Sequence, residues 1–102
     1  MNKQLLVCNI GALTASQRQR HQVLFQKLAG AYREITELLN GYAFSFLHDV
    51  SLFQSIAEWI TLEHFCCPFV ESTLKYQSES ITLELTGEDG VKEFLKAEFH
   101  LS

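Results

Sequence analysis

Basic residues are scarce in this chain: eight Lys and Arg stand against twelve Asp and Glu, for a net charge of −4 with histidine neutral. A nucleic-acid backbone is held by a basic face, so the balance gives no support for a DNA or RNA partner. Long apolar runs are also missing. Nothing approaches the roughly 18 apolar residues that cross a bilayer, and Met1 to Val7 is too short for a signal peptide and carries no cleavage site. The expected compartment is therefore the cytoplasm, where thiols stay reduced. There are only three cysteines, an odd number that argues against a disulfide framework. Free thiols or metal ligands are expected. Also absent are a Ser-His-Asp set, a paired-carboxylate motif, a nucleotide loop and a cofactor fingerprint, which puts an enzyme last among the readings. Gly87-Glu88-Asp89-Gly90 matches neither phosphate-binding glycine pattern. It reads as a turn leading to a helix start.

What the chain does have is a substantial core. Its 102 residues are 47% hydrophobic and 20% charged, enough for one globular domain. Leu5 to Ile10 is an aperiodic apolar run ended by Gly11, which predicts a buried strand. Thr14-Ala15-Ser16-Gln17 has the spacing of a capping box, and Leu24, Leu28 and Ala31 follow at helical intervals, so a helix is expected from about Ala15 to Gly30. Asn40-Gly41 predicts a hairpin turn between strands at about Arg33 to Leu39 and Tyr42 to Leu47. Ser51 to Gln54 reads as a second capping box, and Leu52, Phe53, Ile56, Ala57 and Ile60 supply the apolar face of a second helix. Pro68, the sole proline, ends that helix near Cys66 and biases Cys67 toward an extended conformation. Two strands, about Val70 to Gln77 and Ser80 to Thr86, and a short helix around Val91 to Phe99 complete the order β-α-β-β-α-β-β-α. This is an α+β, mostly antiparallel, two-layer ferredoxin-like sandwich. Trp59 and the phenylalanines read as core.

That topology carries the chemistry. If the first strand leaves the sheet where the second helix ends, then Cys8 shares one end of the domain with Cys66 and Cys67. Cys66 and Cys67 are expected to diverge across the helix break, leaving Cys8 to pair with one of them. Glu63 precedes Cys66 by three residues and lies on the same helix face. It is expected to be at least half buried and to contact Arg18 or Arg20 as a structural ion pair. His64 and His21 are further candidate ligands. Three thiolates suit Hg, As, Cd or Cu(I); an added histidine nitrogen would suit Zn, although adjacent cysteines lack the spacing of structural zinc sites. Buried cysteine as a core hydrophobe remains the competing reading. Three function classes stay open: a soft-metal or thiol-reactive ligand binder or sensor, a structural or interaction module forming a homodimer, and a small thiol redox enzyme.

Cys8, Asn40 to Phe44, Trp59, Leu62-Glu63, Cys66-Cys67-Pro68-Phe69, Leu85-Thr86-Gly87 and Gly90 to Leu95 together resemble a small, largely uncharacterised bacterial domain. That domain occurs alone or as an extension of regulators of the mercury-responsive type. The similarity spans nearly the whole chain, with Glu63 to Phe69 as its most specific block. It implies a shared fold and a soft-metal context, but no activity, substrate or cofactor. His48-Asp49 and Glu88 depart from prolines expected in that pattern, both in loops.

Overall fold

A computed structural model describes residues 6–101. Helix α1 spans Ala15–Ala29, followed by strands β1 (Glu34–Leu38) and β2 (Gly41–Leu47), helix α2 (Val50–Cys66), strands β3 (Glu71–Tyr76) and β4 (Ser80–Thr86), and helix α3 (Val91–Glu98). The four strands form one antiparallel sheet in the order β1-β2-β4-β3. Helices α1 and α2 pack together and close the core over the sheet, while α3 lies against β2 and β4. The molecule is thus the α+β, two-layer, ferredoxin-like sandwich that the sequence predicts.

The route through that sandwich differs at its start. Leu6 to Asn9 form no strand, and Ile10–Ala12 make a single 3-10 turn; Leu5 lies outside the described residues. The segment spends its backbone hydrogen bonding elsewhere, with the Asn9 N–H donating to the Cys66 carbonyl at 2.7 Å. A carbonyl of the last α2 turn, which has no partner within the helix, is satisfied by this bond. Among the described residues the sheet has four strands, none of them from this segment. Strands β2 and β3 are parallel with β4 between them, and α2 makes the crossover, which is the split βαβ unit of the ferredoxin-like arrangement. The helix and strand that would end that arrangement, α1 and β1, here come first in the chain.

Helix starts show how local chemistry decides boundaries. The Thr14 hydroxyl accepts from the Gln17 N–H at 3.1 Å, and the Gln17 side chain accepts from the Thr14 N–H at 2.9 Å, so the predicted capping box is formed. The second box is not. Asp49 caps α2 by accepting from Leu52 N–H at 2.8 Å, and Ser51 is already inside the helix. Aspartate two residues earlier provides a charged acceptor at the positive helix end, which the hydroxyl of Ser51 does not match.

The hairpin turns one residue earlier than Asn40-Gly41. Leu38 pairs with Gly41, which leaves Leu39 and Asn40 as the loop. Neither Asn40 nor Gly41 has positive φ. Glycine is required at 41 for a different reason: a Cβ there would collide with the Leu85 carbonyl oxygen on the neighbouring strand β4. Gly41 therefore sets the β2–β4 approach rather than the turn.

The inward sheet face carries Phe44, Phe46, Ile81, Leu83 and Leu85, all fully buried, beneath Leu24, Leu28, Ile56 and Trp59 from the helices. Phe44, Phe99, Phe25 and Trp59 form a chain of tilted and edge-on rings. Trp59 and the phenylalanines other than Phe65 lie in or against the core, as their periodicity indicates; Phe65, 58% exposed, sits off the buried face of α2 and corrects that expectation.

Candidate functional site

The Glu63 to Pro68 block is shaped by how α2 ends. Pro68 has no N–H and disfavours helical geometry at the residue before it. Cys67 accordingly leaves the helix with φ −132° and ψ 65°, while its own N–H still reaches the Glu63 carbonyl at 2.6 Å. Cys66 closes the helix and Cys67 begins the exit, and both are fully buried. Their side chains do not diverge as expected from the helix break. Cys66 Sγ lies 3.6 Å from Cys67 Sγ, with the Cys67 N–H still tied to the Glu63 carbonyl of the last helical turn.

Cys8 joins them, although not from the end of a strand. The Asn9–Cys66 backbone bond draws the N-terminal segment along the end of α2. Cys8 and Cys67 are disulfide-bonded across 59 positions of sequence, with Cα atoms 4.9 Å apart, and Cys66 is the free thiol. This corrects the expectation of three free thiols. An odd cysteine count excludes full pairing; it does not exclude one pair and a remainder.

Glu63 completes the group. One ligand atom from each of Cys8, Glu63, Cys66 and Cys67 falls within 4.8 Å of every other. The carboxylate is only 1% exposed and is held by His21 Nε2 at 2.7 Å from Oε1. Its expected arginine partners are engaged elsewhere. Arg20 makes a two-pronged contact with Glu58 on the surface at 2.9 and 2.7 Å, holding that carboxyl below its ordinary range. Arg18 donates to the Leu13 carbonyl at 3.0 Å. Residues 18 and 21 share a face of α1, but it is His21, one turn further along, that reaches Glu63, while Arg18 lies back toward the helix start at Leu13. His21 is packed against the Trp59 ring, 6.1 Å between centroids, which fixes the imidazole face. Its Nε2 also lies 4.0 Å from Cys66 Sγ. His21 thus orients the carboxylate at the edge of the sulfur group. His64, by contrast, is exposed and outside that group.

One residue of this neighbourhood carries no sequence signal. Glu98, in the last turn of α3, places Oε2 4.0 Å from Cys8 Sγ. Burial and the adjacent Glu63 carboxylate raise its acid range from 4.5 to about 8. The sequence marks only a short C-terminal helix by its apolar residues, and the tertiary return of α3 is what brings Glu98 to the sulfurs. Burial, with the Glu63 charge adding to it, also pushes the Cys66 thiol up to about 11.

Polar atoms without partners gather in the same region. Glu63 Oε2, Glu98 Oε1 and Trp59 Nε1 are buried and have no hydrogen-bond partner among the described residues. Groups of this kind are costly unless something satisfies them. Beside them opens a cleft of about 560 Å³, bordered by Ile10, Arg18, His21, Phe25 and Glu98. Sulfur and carboxylate donors converging under a solvent-open cleft can hold a thiophilic cation, exchange disulfides, or both.

No family model, curated protein or solved structure matches the chain. No helix among the described residues is long and apolar enough to cross a membrane.

Proposed function

We propose that the protein binds a thiophilic metal ion, or a thiol-reactive agent of the same chemistry, through Cys8, Cys66 and Cys67, with Glu63 as an oxygen donor. The observation that carries this reading is the convergence of the four ligand atoms within 4.8 Å, with Cys66, Cys67 and Glu63 all buried. Core packing alone accounts for buried cysteine. It does not account for a buried carboxylate beside the sulfurs with one oxygen unpartnered.

Burial also bears on the ion. Charge taken out of water must be neutralised. Before the Glu63 charge is counted, three thiolates around As(III) sum to zero, Hg(II) or Cd(II) leaves one negative charge and Cu(I) leaves two, each with strong sulfur affinity. Zn(II) is the borderline member: it leaves the same charge as Hg(II) and Cd(II) but is less thiophilic, and the adjacent cysteines lack the spacing of structural zinc sites. His21 would act as the outer partner that fixes the ligating carboxylate. The resemblance to extensions of mercury-responsive-type regulators agrees with a soft-metal context and with a role in sensing.

Native mass spectrometry of the reduced protein, with each ion in turn, tests the reading. A one-ion adduct is expected for the wild type and not for Cys66→Ser or Cys67→Ser. No adduct with any of the five ions would sink it.

A further inference from the structure

The Cys8–Cys67 disulfide and the proposed metal site use the same sulfur atoms. The two states exclude one another: with the bridge closed, two of three sulfur donors are spent. Something must open it. Cys67 and Cys66 are sealed from solvent, whereas Cys8 is only partly buried, so attack from outside falls on Cys8 Sγ. Cys8 is not part of the cleft wall, but two border residues lead from the cleft to its sulfur. Ile10, on its border, is two residues beyond Cys8, and Glu98, also on its border, reaches within 4.0 Å of Cys8 Sγ.

We infer that this cleft binds a low-molecular-weight thiol bearing a carboxylate and an amide, and that this ligand reduces the Cys8–Cys67 bridge to assemble the metal site. The inference rests on the metal-binding reading only for its consequence; the cleft and the disulfide chemistry stand apart from it.

The lining fits that ligand class. Arg18 makes no ion pair among the described residues and retains N–H donors beyond the one given to the Leu13 carbonyl, so it can hold a carboxylate. Gln19 and Gln22, one helical turn of α1 along the same wall, offer donors and acceptors matched to an amide. Phe25 and Ile10 supply apolar contact for the methylene stem. A neutral thiol such as 2-mercaptoethanol would gain no ion pair with Arg18.

The chemistry balances with two equivalents of thiol. The first, as thiolate, attacks Cys8 Sγ; the Cys8–Cys67 bond breaks, and Cys67 leaves as thiolate and takes a proton. A second thiolate attacks the ligand sulfur of the mixed disulfide, releasing the ligand's own disulfide and the Cys8 thiolate, which takes a proton from solvent in turn. The protein gains two electrons and two protons, and the ligand is oxidised. Hydrogen peroxide, reduced to water, is the class of oxidant that closes the bridge again.

The experiment follows opening of the disulfide in the metal-free full chain by quenched alkylation, with reduced glutathione and with 2-mercaptoethanol as probes. Peptide mapping after peroxide treatment must first find Cys8 joined to Cys67; another pairing overturns the inference. The glutathione rate is expected to saturate with concentration. Arg18→Gln should lower it about fivefold, the scale of an exposed ion pair, and leave the mercaptoethanol rate unchanged, while Arg18→Lys recovers part of the loss. A glutathione rate that is linear in concentration, or slowed no more than the mercaptoethanol rate by Arg18→Gln, overturns it. Metal binding after chemical reduction is measured separately. A reduced protein that binds no ion, with saturable glutathione kinetics intact, defeats the metal reading and leaves the cleft; the converse result defeats the cleft alone.

Discussion

Glu98→Gln is the substitution that most directly probes the electrostatics of the site. The wild-type carboxyl is removed from water and lies beside Glu63, and its acid range rises from 4.5 to about 8. The folded protein therefore holds a proton there that the unfolded chain releases at a lower pH. Between the two values the native state binds more protons than the unfolded state, so stability is fully present below about pH 4.5 and is lost as pH rises toward 8. A tenfold change in proton affinity is worth about 1.4 kcal/mol. Full conversion would give roughly 5 kcal/mol, and partial exposure with local water entry reduces the expected loss to on the order of 3 kcal/mol. Glutamine mimics the protonated acid and cannot lose the proton. The assay is urea unfolding of the disulfide-bonded, chelator-treated protein from pH 5 to pH 8.5, for wild type and variant. The two should be similar in stability at the acid end, and the variant should become more stable by that amount at the alkaline end. The wild-type minus variant difference cancels the titrating groups that do not interact with Glu98 and reports Glu98 together with its neighbours Glu63 and Cys66. If that difference is flat with pH, Glu98 is not a buried acid beside a like charge.

His21→Leu removes the strong donor to Glu63 and should cost about 1–3 kcal/mol in chemical denaturation, because the buried carboxylate then keeps only the weak Cys66 Sγ contact at 3.9 Å. His21→Gln, which keeps an N–H, should lose less; equal losses would mean that the histidine only fills space. Gly41→Ala should cost about 1–3 kcal/mol in thermal or chemical unfolding, since the new methyl meets the Leu85 carbonyl. A neutral outcome would place glycine's role back in the turn.

Much of the fold is readable because its signals are local. The Thr14–Gln17 box, the Tyr42 to Phe46 alternation and the helix-stopping Pro68 each act within a few residues and each set an element. The misplacements share a different cause. An apolar run such as Leu6 to Ile10 is compatible with a strand, but a strand needs a partner. Asn9 instead bonds the end of α2. Asn40-Gly41 reads as a turn from the conformations its residues tolerate, whereas Gly41 answers to a backbone from β4 distant in sequence. In the site, Glu63 is legible from its place on the apolar row of α2. Its partner is not, because choosing His21 over Arg18 or Arg20 depends on the rotation of α1 against α2. Glu98 and the Cys8–Cys67 bond depend on the return of α3 and on the path of the N-terminal segment, which no spacing encodes.

X-ray absorption spectroscopy of the reduced protein loaded with one equivalent of cadmium counts the donors around the ion directly. Convergence of Cys8, Cys66, Cys67 and Glu63 predicts three sulfur neighbours and one oxygen around the ion, with one sulfur lost in Cys8→Ser and the oxygen lost in Glu63→Ala. A coordination shell dominated by oxygen and nitrogen, or one unchanged by either substitution, would contradict the account.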